Sequence, residues 1–354
     1  MKKLGRFNKV IFFFNIILLF VTFVAYFLPF LAPRLFPILS VLSLFLPLFL
    51  ILNLVFFLFW FIQFKRQMLL SGIVLIVGIT FVNKFYKLYG NENEDVGKED
   101  IVVMSYNVRL FNLYNWIKDE NISQNISQFI KDQDPDILCI QEFSNTNEID
   151  FSKYPHKHIF IEGKNTKLGQ AIFSKYPIID KGVLNFPNTS NNAVFIDLKK
   201  GNDIFRVYSI HLQSIKITPD VHEIDENIQE GVTKTRSKRI FARTSAAFRE
   251  QQNQAEIVKK HKMSCSYPVI ICGDMNNSAF SFVYRSIKGD LKDTFEEAGS
   301  GFGKTYSFKY YPARIDYIFA DKRFEVKSHK SFPEFKNSDH FPIVSRLSLL
   351  SEKN

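Results

Sequence analysis

Residues 268–276 read PVIICGDMN, a short apolar, β-branched run that stops at a glycine and is followed at once by Asp274 and Asn276. A run of this length bounded by turn residues reads as a buried strand. Polar groups at strand ends are where a rigid scaffold presents reactive side chains. The pattern recurs in both directions along the chain. Asn107 closes VMSYN (103–107), Glu142 closes DILCIQE (136–142) and His211 closes FRVYSIH (205–211). Asp316 interrupts RIDYIF (314–319), and Asp339 and His340 stand directly before FPIVS (341–345). Apolar runs at 101–106, 136–141, 170–174, 193–198, 204–210, 268–272, 314–319 and 342–348 read as strands. Ile117 to Lys131 and Ala246 to Lys260 carry helical spacing. Strands mixed with helices on this scale imply an α/β or α+β layered domain.

The residues at these strand ends suit phosphoester hydrolysis. Carboxylates and an amide fit a hard divalent cation such as Mg²⁺, and two histidines can handle protons. No nucleophilic Ser or Cys motif and no glycine-rich phosphate loop is present, which disfavours covalent and nucleoside-triphosphate mechanisms. Each residue also has a plainer reading. Asn107 can end a strand, Glu142 can be a solvated strand end, and Asp316 can pair with Arg314 two residues away on one face. An Asp inside an apolar run is nevertheless costly unless partnered.

Charge is unevenly distributed. Met1 to Gly90 holds nine Lys/Arg and no Asp or Glu, whereas the remainder sets 36 Lys/Arg against 35 acidic residues, a net of +1. The basic character belongs to the N-terminal end and is no footprint of a nucleic-acid surface. Val10 to Ala32 and Phe36 to Phe64 are uncharged apolar stretches, each longer than the ~20 residues that span a bilayer. Spans are expected at 10–32 and 38–63. A third, at 68–86, is shorter and interrupted by Gly72 and Gly78, with an interfacial or buried helix as the alternative. Lys2, Lys3, Arg6 and Lys9 precede the first stretch and Lys65 and Arg66 follow the second, so the positive-inside rule places these in the cytoplasm. With three spans, everything after Tyr89 faces outside, as in a multi-pass inner-membrane protein; with two, it is cytoplasmic. Lys84 and Lys87 count against the first arrangement. Residues 91–100 (NENEDVGKED) read as a polar linker, so the domain is expected at 101–350.

SYNVR (105–109), IQEF (140–143), GQAIFSKYPI (169–178), IHLQS (210–214), CGDMN (272–276), RIDYIF (314–319) and SDHFP (338–342) follow one another in the order of the endonuclease/exonuclease/phosphatase family, which the sequence resembles across nearly all of 101–348. The resemblance implies two packed mixed β-sheets flanked by helices, with the site at one edge. It implies Glu142 as principal metal ligand, Asn107 on metal or phosphate, and Asp339 supporting the metal directly or through water. His340 would be general base or a phosphate contact oriented by Asp316; Asp274 would position the attacking water; Asn276 would bind a phosphate oxygen. His211 would stabilise the transition state or assist the leaving group. The cofactor implied is Mg²⁺ or Mn²⁺.

Other residues carry weaker readings. Arg249 either forms a salt bridge or reaches substrate. The polar segment 214–243, with Lys234, Arg236, Lys238, Arg239 and Arg243, reads as a solvated loop or helix face, with a phosphate-facing patch as the alternative. Cys139, Cys265 and Cys272 support no disulfide framework. The substrate is expected to be nucleic acid or a phospholipid or polyol phosphate, and the other partner is the bilayer; no protein partner is indicated. A catalytically silent scaffold is the reading from another class, and its signature, loss of Glu142, Asp274 or His340, is absent.

Overall fold

The computed structural model describes residues 4–90, 97, 99–145, 149–162, 168–215 and 234–350. Its N-terminal part is helical, with α1 (Arg6–Ala25), α2 (Pro37–Leu42), α3 (Leu46–Ile62), α4 (Met68–Val77) and α5 (Ile79–Phe85). Arg6–Phe30 and Pro37–Ile62 are long and apolar enough to cross a membrane, whereas α4 and α5 reach that length only as one span bent by 73°. The bend falls at Gly78. There the Tyr26 hydroxyl donates to the Val74 carbonyl at 2.9 Å, and a Cβ on Gly78 would lie 2.0 Å from that hydroxyl. Buried polar side chains fasten the helices where apolar neighbours offer no other partner. Asn15 Nδ2 donates to Ser71 Oγ at 2.8 Å, Trp60 Nε1 to Asn15 Oδ1 at 3.0 Å and Asn53 Nδ2 to Thr22 Oγ1 at 2.8 Å.

Two six-stranded mixed sheets follow. The first holds β1 (Ile101–Asn107), β2 (Ile137–Phe143), β3 (His156–Glu162), β4 (Leu168–Ser174), β11 (Phe324–Ser331) and β12 (Ile343–Leu349), in the order β11-β12-β1-β2-β4-β3. The second holds β5 (Ile178–Asn185), β6 (Asn192–Lys200), β7 (Asp203–His211), β8 (Val269–Asp274), β9 (Lys292–Asp293) and β10 (Asp316–Ala320), in the order β5-β6-β7-β8-β10-β9. The pairs β1–β2 and β7–β8 are parallel. Val103, Cys139, Val207, Cys272 and Ile318 fill the space between the sheets. The opposite faces are covered too: Met104 and Leu138 pack with Ile122, Ile126 and Ile130 of α6 (Ile122–Gln133). Ile271 and Phe319 pack with Ala255 and Val258 of α7 (Lys234–Met263) and Val283 of α8 (Phe282–Lys288). A short α9 (Thr294–Ala298) closes one end.

All eight expected strands form. The four others, β3, β5, β9 and β11, are the outer strands of the two sheets. An edge strand has one open side, so it tolerates charge and partial exposure and need not show a continuous apolar run. α6 starts at Ile122 rather than near Ile117. Asn112 holds Ile117 in a loop through both its backbone groups, at 2.8 and 2.9 Å. The helix expected at 246–260 extends back to Lys234, so part of the basic cluster is helical; residues 216–233 and most of the 91–100 linker lie outside the described residues.

Buried His329 adds an acid-sensitive element. Its Nδ1 lies 2.8 Å from Thr294 Oγ1 and 3.0 Å from Ser345 Oγ, and its buried Nε2 has no partner. Burial lowers this imidazole from 6.5 to about 4. Below pH 6.5 the unfolded chain therefore takes up a proton that the folded ring refuses until about 4. Stability is lost as pH falls through that window, and the loss saturates beneath it. In a comparison with His329→Gln, where the other titrations cancel, the parent should lose about 3 kcal/mol relative to the variant between pH 7 and 4. Thermal unfolding across that range reads it; a difference independent of pH would contradict it.

Candidate active site

Strand register brings the first three groups together. His211 at the end of β7 stands opposite Asp274 at the end of β8, and Asp274 opposite Asp316 at the start of β10. In the other sheet Asn107 ends β1 beside Gln141 of β2. A bulge between Gln141 and Phe143 leaves Glu142 at φ +51°. Strain of this kind persists where surrounding structure imposes it, and here it turns the carboxylate toward the opposite sheet. Asn107 Nδ2 bridges the two halves, donating to Glu142 Oε1 at 3.3 Å and to Asp274 Oδ2 at 3.1 Å. His211 Nε2 lies 3.7 Å from both of those carboxylates.

His340, just before β12, completes the cluster. Its Nδ1 is 3.0 and 3.1 Å from the two Asp316 oxygens, and its Nε2 is 3.6 Å from Asp274 Oδ2. Asp316 thus pairs with His340, while Arg314 turns away to Asp293 at 2.7 Å. Thr305 Oγ1 accepts the Asp316 backbone N–H at 3.1 Å. Ser338 Oγ donates to the Asn107 carbonyl at 2.9 Å and accepts the His340 N–H at 3.2 Å, tying this turn to β1. Asn276, at φ +49°, donates its N–H to Asp274 Oδ1 at 2.7 Å and its amide to Asp274 Oδ2 at 3.1 Å. Asp339 is half-buried at the rim, 3.5 Å from Arg109.

Arg249 is not among the gathered residues. It is exposed on α7 and lines a separate groove with Pro37 and Ile38. The α7 residue that does reach the site is Gln251, whose amide donates to the Gln213 carbonyl at 2.7 Å and the Asn276 carbonyl at 3.2 Å. A buried polar layer lies beneath the cluster: Gln141 Nε2 donates to Ser209 Oγ at 2.9 Å, Ser209 Oγ to Gln170 Oε1 at 2.8 Å, and Gln170 Nε2 to Asn192 Oδ1 at 2.7 Å. Sequence reasoning did not find these supports; the available signal was glutamine inside otherwise apolar strand runs.

Gly273 explains why the strand must end as it does. Its φ is +135°, and a Cβ would lie 2.0 Å from the Ile210 carbonyl oxygen of the parallel neighbour. Gly273→Ala should destabilise the fold by about 3 kcal/mol or more, through strain and backbone displacement at Asp274. Chemical denaturation measures this, and a change below about 1 kcal/mol would contradict it.

Burial raises Glu142 above the usual carboxylate range and pushes Asp274 up to about 6, with Asp316 adding to the latter and the two imidazoles opposing. Burial lowers His211. Burial acts on His340 in the same sense, but Asp316 and Asp274 outweigh it and hold that ring well above its ordinary value. Asp274, Asp316 and His340 offer ligand atoms within 4.8 Å of one another. Glu142 and Asp274 are buried carboxylates whose anionic forms burial disfavours, and such groups are what a hard divalent cation would stabilise, so the cluster fits one. A cavity of about 600 Å³ adjoins the cluster, lined among others by Asn276, Asp339, Arg109 and Tyr306; the Tyr306 ring lies 4.8 Å from that of His340.

Residues 104–340 match the model of the Endonuclease/Exonuclease/phosphatase family. The chain belongs to that family. Its members are phosphoesterases and nucleases and are generally metal-dependent. Residues 8–85 match a separate domain of unknown function. No curated protein matches the chain. The family fold is also seen in solved structures of low identity. The human Nocturnin catalytic domain with bound sulfate anion is 19% identical, covering 72% of this chain and 95% of that one, with a TM-score of 0.53. A family protein from Bacteroides vulgatus is 19% identical over 71% of this chain and 100% of its own, at 0.52. The mannosyl-6-phosphatase of Bacteroides thetaiotaomicron VPI-5482 is 20% identical over 70% and 100%, at 0.50.

Proposed function

We propose that the chain is a membrane-anchored, divalent-metal-dependent hydrolase of phosphoester bonds, of the phosphodiesterase or nuclease type. The observation that carries this reading is the convergence of Glu142, Asn107, His211, Asp274, Asp316 and His340 on one edge of the sandwich, beside an open cavity. Glu142, with Asn107 and Asp339, would hold Mg²⁺ or Mn²⁺. Such a cation neutralises charge on the phosphate and favours attack at phosphorus. His340 moves the proton of the attacking water at Nε2, with Nδ1 fixed by Asp316. Asp274, reached by Asn276, Asn107 and both imidazoles, orients that water. Asn276, whose Nδ2 donates to Asp274 and to the Leu212 carbonyl at 3.0 Å, would turn its amide to a phosphate oxygen when substrate binds, and buried His211 supports the developing charge.

Membrane anchoring rests on the apolar helices, whose outward Phe13, Phe20, Val55 and Ile76 stay exposed. Three crossings are favoured by what touches the sandwich. Arg34, between α1 and α2, bonds Gln252 at 3.0 Å and pairs with Glu256 at 2.7 Å. Lys87, after α5, exchanges backbone hydrogen bonds with Gly301 at 2.8 and 2.9 Å. At the other ends, Asn8 bonds Gln63 at 2.9 Å. On this reading the loop after the first span and the end of the third lie on the sandwich side, as three crossings require, with Arg6, Lys9 and Lys65–Arg66 at the opposite ends of the helices. By the positive-inside rule the catalytic part then faces the outer side of the inner membrane.

The purified full chain in detergent should hydrolyse at least one of plasmid DNA, phospholipid head-group diesters and phosphate monoesters with Mg²⁺ or Mn²⁺, and lose that activity with chelator. Absence of metal-dependent turnover on every substrate would favour the silent scaffold instead.

A further inference from the structure

The wall of the cavity beside the reactive cluster is shared between the sandwich and the membrane segment. On one side stand Asn276 and Asp339; on another stands half-buried Leu44, from the 3₁₀ turn Ser43–Phe45 that joins α2 to α3. Phe308, Tyr311 and Phe341 line the space between, and Arg109 and Lys336 contribute cations. The loop beside it carries exposed Leu113, Tyr114 and Trp116, with Trp116 under the Arg109 guanidinium at 4.4 Å. Aromatic residues of this kind favour the headgroup level of a bilayer. The rest of the helical segment continues from Leu44 into a surface of exposed apolar side chains, including Phe45, Leu48 and Leu52. A ligand lying between Leu44 and Asn276 thus has a polar end at the cluster and an apolar end at the bilayer.

We infer that the substrate is an amphiphilic phosphoester taken directly from the membrane, its phosphate between Asn276 and the Arg109 guanidinium and its hydrocarbon chain passing Leu44. This deepens the phosphoester reading above and rests on it. Nucleic acid is the poorer fit, because the chain after Gly90 has a net charge of only +1 and duplex binding relies on many Lys and Arg contacts to phosphate. In the reaction, water adds to phosphorus, the bond from phosphorus to the leaving oxygen breaks, and a proton passes to that oxygen or to solvent.

The test uses the full chain in dodecyl maltoside micelles with Mg²⁺ or Mn²⁺. The probes are the butyl and hexadecyl esters of p-nitrophenyl phosphate, read as released p-nitrophenolate, and the butyl and hexadecyl phosphate monoesters, read as released phosphate. Micelles concentrate any long-chain ester, so the readout is the hexadecyl-to-butyl ratio of kcat/KM in variants against parent. Leu44→Asp should lower that ratio about tenfold, and Trp116→Ser should lower it in the same direction. The ratio is internal to each preparation, so partial misfolding leaves it unaffected, and Trp116→Ser stands in if Leu44→Asp cannot be made. A ratio unchanged in the variants overturns the inference while the phosphoester reading survives. Faster cleavage of duplex DNA than of either ester overturns it in favour of nucleic acid. No turnover of any probe overturns both.

Discussion

His340→Ala lowers kcat for phosphoester hydrolysis by about a thousandfold, the size usual for loss of a positioned proton-transfer group, while circular dichroism shows an unchanged fold. The ring is buried, its Nδ1 is held by both oxygens of Asp316, and its Nε2 is 3.6 Å from Asp274. Alanine removes the proton carrier and leaves two carboxylates facing one another. Asp316→Asn is the sharper companion. It keeps a group of the same shape but removes the largest charge holding the imidazole above its ordinary value. The limb of the pH–rate profile governed by His340 should therefore move to lower pH in Asp316→Asn. Because a cation bound nearby would also lower that value, both profiles are recorded at saturating metal. A limb that rises with pH identifies a base, and one that falls identifies an acid. Unchanged turnover in His340→Ala would remove the ring from the mechanism.

The second large effect is expected at Glu142. Glu142→Gln should raise the Mg²⁺ or Mn²⁺ concentration giving half-maximal rate by about a hundredfold, since a hard cation loses an anionic oxygen donor. The same change should leave the metal-free chain as stable as the parent or more so. Burial already disfavours the Glu142 anion, and the backbone there is held at φ +51°; functional sites commonly retain such unfavourable groups. Activity lost together with stability kept separates a ligand from a structural prop. Thermal unfolding with and without metal makes the comparison, and a variant with parental metal dependence would refute the assignment. Protons compete with the cation for the Glu142 oxygens, and burial raises that carboxyl, so metal affinity should fall as pH drops.

Much of this was legible in sequence because two local rules suffice. Central strands covered on both faces need continuous apolar runs, and their ends are where polar groups stand, so β1, β2, β7, β8 and β10 and the residues closing them could be read directly. Edge strands β3, β5, β9 and β11 follow neither rule, and they were invisible.

Which groups meet is a different kind of question. Local pattern left Asp316 free to pair with Arg314; register across three strands and the turn before β12 gave it His340 and sent Arg314 to Asp293. Local pattern left Arg249 free to form a salt bridge or to reach substrate; helix phase put Gln251 at the site and Arg249 beside Pro37. Leu44 and Asn276 line one cavity although they stand 232 positions apart in a chain where no periodicity links them. Sequence by itself determined the elements, the reactive residue types and the apolar spans, because those depend on neighbours along the chain. Tertiary structure alone decided partners, burial and what borders the cavity, because those depend on contacts that the chain makes only once the sheets and helices have packed.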